Sequence, residues 1–380
     1  VRKEVGETFA DLRFVDQGPP RGTGHAVQVA LAELQDFDGD VLITYGADPL
    51  VRTETLAALV AMRGGDGGAP CSVLTGCVDD PTGYGRILRD DDGRFVGIRE
   101  HRDCDEEELL IDEINVGFYC FDRRALAASI GDLGSDNAQG EIYLTDVPIG
   151  MARSGEVPTL QLEDPSEMQG VNTLAELAIA RSLLQERIML EHLDNGVMII
   201  DPATTWIDAG VEIGADTVIR PCTVIAAGCR IGSGCDIGPF AHLRAGTVLD
   251  DGAEIGNFVE AKNSHLGARA KAKHLTYLGD ATIGPRSNIG AGTITANYDG
   301  RNKSKTTIGE RCFVGSGTVI VAPSTLADGA MTAAGAIVRR GSELGPDEVW
   351  AGVPARLLKR RDALGEPAAQ PEPGKGEKER

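Results

Sequence analysis

Arg244 and Lys262 stand 18 residues apart, and the interval is what makes them candidates for chemistry. In a chain that returns to the same place every 18 residues, they would lie one above the other about 5 Å apart. Two cations that close repel unless an anion lies between them, and a phosphate is a suitable one. Tyr298 and Lys303 fall in ANYDGRNKSK, which interrupts the surrounding pattern and must project as a loop. Excursions of that kind commonly carry binding function. The eight cysteines (71, 77, 104, 120, 222, 229, 235 and 312) form no CxxC pair, and their six-residue spacings suit no common zinc site. They read as free thiols in a reducing compartment, so a cytoplasmic protein is expected.

What must hold these residues is a repeat. From residue 207 an aliphatic side chain returns at every sixth position: Ile207, Ile213, Ile219, Ile225, Ile231, Ile237, Leu243, Leu249 and Ile255. With one residue in four aliphatic, nine in succession arise by chance only ~4 times in a million. The frame slips and resumes at Leu266, Ala272 and Leu278, then at Ile283 and Ile289. A further run is Ile308, Val314, Ile320 and Leu326, with Val338 and Leu344 after an interruption at Thr332. A period of six fits neither a helix nor a single alternating strand. It predicts a left-handed parallel β-helix of hexapeptides, three to a coil, with aliphatic side chains on the axis and glycines turning the corners. About 150 residues then make roughly eight coils, each touching only its neighbours.

Upstream, residues 172–196 read as a long amphipathic helix stopped by Asn195 and Gly196. Before it, VLITYG (41–46) reads as a buried strand, ETLAALVAMR (54–63) as a helix and CSVLTGCV (71–78) as a strand. ILRDDDGRFVGI (87–98) reads as a hairpin turning at Asp92 and Gly93. This order predicts an α/β domain with a partly parallel sheet. The expected organisation is a nucleotide-sugar domain over 1–171, a linker helix over 172–196, the β-helix over 197–358 and a disordered tail over 359–380. The net charge of −21 is uneven: −19 lies in residues 1–170 and −2 in 171–380, while 244–311 carries ten basic against seven acidic residues. A nucleic-acid-coating surface is therefore unexpected, and that basic island is a place for small anionic ligands. No run of 18 apolar residues exists to span a membrane.

Residues 258–309 contain KHLTYLGD, NIGAGTI and NYDGRNK in an order and spacing that resembles one bifunctional bacterial family. It is the UDP-N-acetylglucosamine pyrophosphorylase/glucosamine-1-phosphate N-acetyltransferase family. GTGHA (22–26), TGYGRI (82–87), EINVGFY (113–119), NAQGEIYLTD (137–146) and GVN (170–172) resemble its uridylyltransferase domain, which has a Rossmann-like nucleotidyltransferase fold. The resemblance implies that His274 is the general base, taking the proton of the glucosamine 1-phosphate amine as it attacks acetyl-CoA. Glu260 matches a carboxylate associated with that amine and base. Arg244 and Lys262 match sugar-phosphate binders, and Tyr277, Asn288 and Asn297 match residues that bind the sugar. Ala291, Tyr298, Lys303, Ser316 and Ala334 match acetyl-CoA-binding positions, with Arg356 a candidate near the CoA phosphate. Gly22, Thr23, Tyr45, Gly85, Glu100, Asn115 and Asn172 match nucleotide-sugar positions in the first domain. The resemblance also implies a homotrimer with sites shared between neighbouring chains.

The front half departs from the family pattern. The glycine-rich loop that cradles the UTP phosphates has no counterpart, and the chain opens VRKEVGETFADLRF, so a trimmed or incomplete first domain is expected. In Tyr45-Gly46-Ala47-Asp48-Pro49-Leu50, Ala47 takes the place of the family's Mg²⁺-binding aspartate, and Asp48 is expected to point elsewhere. Asn172 alone would remain as a metal ligand, a poor site for magnesium. Acetyl transfer is thus expected and uridylyl transfer from UTP is expected to be lost or impaired. Two other readings stay open: a γ-class carbonic-anhydrase-like metalloenzyme using His242, His265 and His274, and a non-catalytic trimeric scaffold.

Overall fold

The computed structural model describes Val5, Gly6, Phe9 and residues 11–65, 67–131 and 140–360. Asn137, Ala138 and Gln139 of one motif, and residues 361–380 of the tail, lie outside the described residues. The chain divides into two compact units, one ending at Ser182 and one beginning at Leu183.

The first unit is built on β5 (Glu113–Asp122), whose sequence EINVGFYCFD is apolar nearly throughout because both faces are covered. Phe118 and Cys120 pack with Leu59 of α2 (Thr53–Arg63) and with Leu74. Tyr119 and Phe121 pack on the other face with Leu126 of α3 (Arg123–Ile130) and Val147 of α4 (Asp146–Ala152). Val27 and Leu31 of α1 (Thr23–Leu31) border that second cluster. β2 (Cys71–Cys77) runs antiparallel along one edge of β5, and β1 (Asp40–Ile43) runs antiparallel on its other edge. The β1–α2–β2 crossover therefore leaves a gap that β5 fills in the opposite direction. β3 (Arg86–Arg89) and β4 (Phe95–Arg99) form the expected hairpin, with the Gly93 N–H donating to the Asp90 carbonyl at 2.9 Å. Only β6 (Thr159–Gln161), beside β2, contributes a parallel pair among the described strands of this unit. The sheet is thus more antiparallel than the element order suggests. β1 is also not buried as expected: β5 is its only partner among the described strands, and Leu42 stays 37% exposed beside an apolar groove of about 660 Å³.

The second unit is a parallel β-solenoid. Helix α5 (Leu174–Asp194) runs into it, and Ile188 and Met189 pack on the first axial residues. Three sheets of ten, eight and eight strands form its faces, called here one, two and three. Strands one coil apart pair in register, Val218 with Asp236, Val224 with His242 and Arg230 with Val248. Ile207, Ile219, Ile225, Ile237 and Leu243 fill the axis with no exposure.

The frame slip is a coil of 17 residues, pairing Glu254 with Lys271 and Glu260 with Tyr277. Thr332 is no interruption of the core: it is buried at an axial position, and its hydroxyl meets the Thr318 hydroxyl at 3.0 Å and the Gly315 N–H. The glycines after the aliphatic positions do a different job from the one expected. Most keep ordinary φ; a Cβ on Gly284, for example, would stand 2.4 Å from the backbone of Gly309 in the next coil. The left-handed corners fall elsewhere, some on non-glycine residues such as Cys222, Phe240, Phe258 and Leu275.

Candidate functional site

On face two, side chains alternate inward and outward. Leu243, Ala261 and Leu278 point to the axis, so Arg244, Glu260, Lys262 and Tyr277 stand outside on three consecutive coils. The expected stack of two bare cations is instead a charge lattice. Arg244 pairs with Glu260 at 2.8 Å and Lys262 with Asp280 at 3.9 Å. Each cation already has a carboxylate, so repulsion alone does not demand an added anion. Lys303 also adjoins Lys262. Its ammonium first, then desolvation and Arg244, hold the Lys262 amine below its ordinary value, against the pull of Asp280. Three cations thus face two carboxylates.

Asp280 is the hub that the sequence reading missed. Its carboxylate accepts hydrogen bonds from the Asn263 amide at 2.7 Å and from the Asn297 amide. Burial pushes this carboxyl up, but those bonds and the charges of Lys262 and Lys303 outweigh it and leave it below the usual range. The signal was in the sequence, since Asp280 closes the KHLTYLGD motif. Gly279 beside it keeps the recess open: a Cβ there would lie 2.6 Å from the Tyr277 hydroxyl and 2.8 Å from the Asn297 amide nitrogen. An amide and a hydroxyl over a glycine, flanked by cations, suit a phosphorylated sugar.

The loop that breaks the hexad leaves the solenoid after Ala296 and re-enters at Thr306. Tyr298 and Lys303 pair across its base as an antiparallel bridge. Asp299 accepts from the backbone N–H groups of Asn302 and Arg301 and binds Arg340 at 2.9 Å. With the Asn302 bond and the Arg340 pairing foremost, its carboxyl falls to about 2. Lys303 sits on the Lys262 side of the molecule, with Asn263, His265 and Asp280 around one cavity of about 370 Å³.

His274 stands elsewhere, at the end of the face-one strand Lys271–His274, on the corner leading into face two. Its carbonyl accepts from the Thr276 hydroxyl at 2.7 Å and from the Gly292 N–H at 3.3 Å. Its ring Nδ1 lies 3.1 Å from Oδ1 of Asn257, one coil earlier. Ala291, Ser316 and Ala334 occupy the same corner on the following coils. The Gly317 N–H donates to the Ala291 carbonyl at 2.7 Å and the Gly335 N–H to the Ser316 carbonyl at 2.8 Å. Asn257, His274, Ala291, Ser316 and Ala334 therefore make one vertical ladder. The residues that follow them change character along it. Phe258 and Leu275 are bulky and exposed, Phe258 stacking on Phe240 at 5.2 Å, whereas Gly292, Gly317 and Gly335 bare the backbone above His274. Asn288 lies on face one, paired in register with Lys271.

Within one chain, then, the residues expected to act together form two groups. Arg244, Glu260, Lys262, Tyr277, Asn297 and Lys303 belong to face two and its loop; His274, Asn288, Ala291, Ser316 and Ala334 belong to face one and its corner. Glu260 is paired with Arg244, and the side chain that meets the His274 ring is Asn257. Arg356 lies on the terminal strand Arg356–Arg360, opposite Ala351. His242, His265 and His274 stand on strands of three different faces, His265 held by Asp250 at 2.9 Å.

In the first unit, Thr23, Tyr45, Gly85, Glu100, Asn115 and Asn172 line one cavity of about 550 Å³, and Gly22 lines the adjoining apolar groove. Asp48 differs from expectation. The Val171 N–H donates to the Ala47 carbonyl at 2.8 Å, tying the two segments together, and Asp48 lines the same cavity as Asn172. Burial raises the carboxyls of both Asp48 and Glu100, the latter against a hydrogen bond from Thr145. Asp48 and Asn172 offer that cavity one carboxylate and one amide, with Glu100 also lining it. A magnesium ion there would draw its remaining ligands from water and substrate phosphates, and no group of three or more His, Cys, Asp or Glu suited to a metal occurs among the described residues. No described helix is long and apolar enough to cross a membrane.

No protein-family model matches the chain. Among solved structures, LpxA from Acinetobacter baumannii overlaps 42% of this chain and 73% of its own, at 14% identity and a TM-score of 0.33. Sequence relatives are nearer. The Bifunctional protein GlmU of Corynebacterium diphtheriae is 43% identical over 377 residues, covering 89% of this chain and 78% of that protein. The Bifunctional protein GlmU of Nocardia farcinica is 44% identical over 377 residues, covering 90% of this chain and 76% of that protein. With likeness at that level along both units, the chain belongs to the GlmU family of bifunctional proteins.

Proposed function

We propose that the chain is a transferase that acetylates the amine of glucosamine 1-phosphate from acetyl-CoA, giving N-acetylglucosamine 1-phosphate on the route to UDP-N-acetylglucosamine and the cell wall. The observation that carries this reading is the ladder of Asn257, His274, Ala291, Ser316 and Ala334, which sets an imidazole at the foot of a bared backbone corner. The amine nitrogen attacks the thioester carbonyl carbon, and His274 takes its proton as the C–N bond forms. Collapse of the tetrahedral adduct breaks the C–S bond, and the imidazolium returns the proton to the departing thiolate. Arg244 and Lys262 neutralise the sugar phosphate, joined by Lys303, which adjoins Lys262 and is reassigned from the acetyl-CoA position that the resemblance implied, while Tyr277 and Asn297 hold the ring. Acetyl-CoA lies along Ala291, Ser316 and Ala334.

Because the two groups belong to different faces, the reading includes a homotrimer in which one chain's corner completes a neighbour's face two. The first unit's cavity is of a size for a nucleotide sugar. With Ala47 in place of the metal-binding aspartate, uridylyl transfer to N-acetylglucosamine 1-phosphate is proposed to be lost or impaired.

A thiol-release assay tests the first activity. Release of CoA should require glucosamine 1-phosphate and fall away with unphosphorylated glucosamine. Equal rates with both sugars overturn the phosphorylated acceptor, and no acetyl-CoA binding by calorimetry overturns the activity and favours a scaffold. Stoichiometric zinc in the purified chain favours the metalloenzyme. Pyrophosphate release from UTP at a rate matching acetyl transfer overturns the second statement.

A further inference from the structure

We infer that Asn257 is a positioning residue for the His274 imidazole: its side-chain oxygen accepts the Nδ1–H proton and so leaves the Nε2 lone pair free to act as the base. The inference rests on the reading of His274 as that base. Four observations carry it. The Asn257 Oδ1 to His274 Nδ1 distance is 3.1 Å, and the two residues are register partners in adjacent parallel strands. Thr276 and Gly292 hold the His274 carbonyl from the other side, so backbone and ring are fixed independently. The close approach has a dedicated glycine: a Cβ on Gly256 would stand 1.8 Å from the Lys273 carbonyl oxygen and force the two strands apart just before the contact. Finally, Glu260 is engaged with Arg244 and the ring's partner is an amide.

An amide suits this task better than a carboxylate. A neutral acceptor selects the tautomer and orientation of the ring without a charge that favours imidazolium, which could not accept the amine's proton. The charged groups around the same cavity of about 260 Å³ are mutually paired. Arg220 binds Asp236 at 2.6 and 2.9 Å, and Glu254 binds Lys271 at 2.9 Å and also Lys273. Asn257 is thus an uncharged polar side chain beside the ring, set among ion pairs that are already made.

The test uses the full chain with ¹⁵N-labelled histidine, the His274 signal being identified by its loss in His274→Ala. The parent ring should carry its proton on Nδ1. In Asn257→Leu the tautomers should mix, and kcat should fall about tenfold or more with both KM values little changed. Asn257→Asp restores an acceptor and should recover kcat at high pH, with the acidic limb of kcat/KM moved to higher pH because the added charge favours imidazolium. A parent ring protonated on Nε2, or a leucine variant with the parent's kcat, overturns the inference. If His274→Ala itself keeps the parent rate, the base reading fails instead, and the tautomer measurement still decides whether Asn257 holds the ring.

Discussion

In the solenoid, residues that meet are neighbours by addition. Asn257 touches His274, and His274 touches Gly292, because each pair lies one coil apart. In the α/β unit Asp48 and Asn172 share a cavity although most of the unit's length separates them, and the Ala47 carbonyl binding Val171 brings them together. The difference concerns how far a local change travels. A solenoid coil contacts only its neighbours, and inward residues set the register, so outward residues can be exchanged without moving the frame. The cavity of the first unit is fenced by segments that depend on one shared sheet, so a disturbance in β5 reaches them all.

The largest effect is expected at the ladder. His274→Ala should lower kcat for acetyl transfer by about 10²- to 10⁴-fold while acetyl-CoA binding and the thermal midpoint stay near the parent's. A variant that also lost its fold would show that the outward ladder is not independent of the frame. Next come the cores. Leu243→Ala on the solenoid axis and Leu126→Ala in the α/β unit remove side chains with no exposure, and each should cost about 2–5 kcal/mol. Hydrogen exchange should show lost protection in the coils adjoining residue 243 but throughout the first unit for residue 126; the same breadth in both would break the comparison.

Lys262→Ala should raise KM for glucosamine 1-phosphate about ten- to a hundredfold, as loss of a charge-assisted contact does, with KM for acetyl-CoA unchanged. Mixed with His274→Ala, it should regain part of the activity in hybrid trimers; no recovery would place both groups in a single-chain site. The smallest effect is in pH dependence. Lys303, with desolvation and Arg244, lowers the Lys262 amine, so the charge proposed to bind the phosphate is present at low pH and lost as pH rises through that depressed value. Lys303→Ala removes the foremost cause and should move the alkaline limb of kcat/KM for the sugar phosphate upward. An unmoved limb would show that the two ammonium groups are not coupled.

The hexad made the solenoid legible because its axial positions recur at fixed spacing, and the slip after Ala261 marked the shortened coil. The same arithmetic placed Arg244 below Lys262. It did not reveal their partners, because Arg244 reaches diagonally across its own face to Glu260, two residues short of its register partner, and Asp280 stands at the corner just past the strand. Asn257 was invisible for a related reason: the 17-residue coil shifts the pairing, so counting 18 back from His274 lands on Gly256. In the first unit, local pattern marked strands and the hairpin but not direction. That the β1–α2–β2 crossover spans an antiparallel β5 follows from long-range pairing that no window of sequence contains.

The loop at 297–305 leaves and rejoins the solenoid at a single corner, with Asp299 fastened to Arg340 and the strands on either side still stacked in register. Its length is consequently free of the coil arithmetic that binds every other segment of the unit. Residues can be added, removed or exchanged there without rephasing the coils beyond Thr306. The excursion is therefore where a descendant of this chain could change the acyl acceptor it admits while inheriting the corner ladder intact.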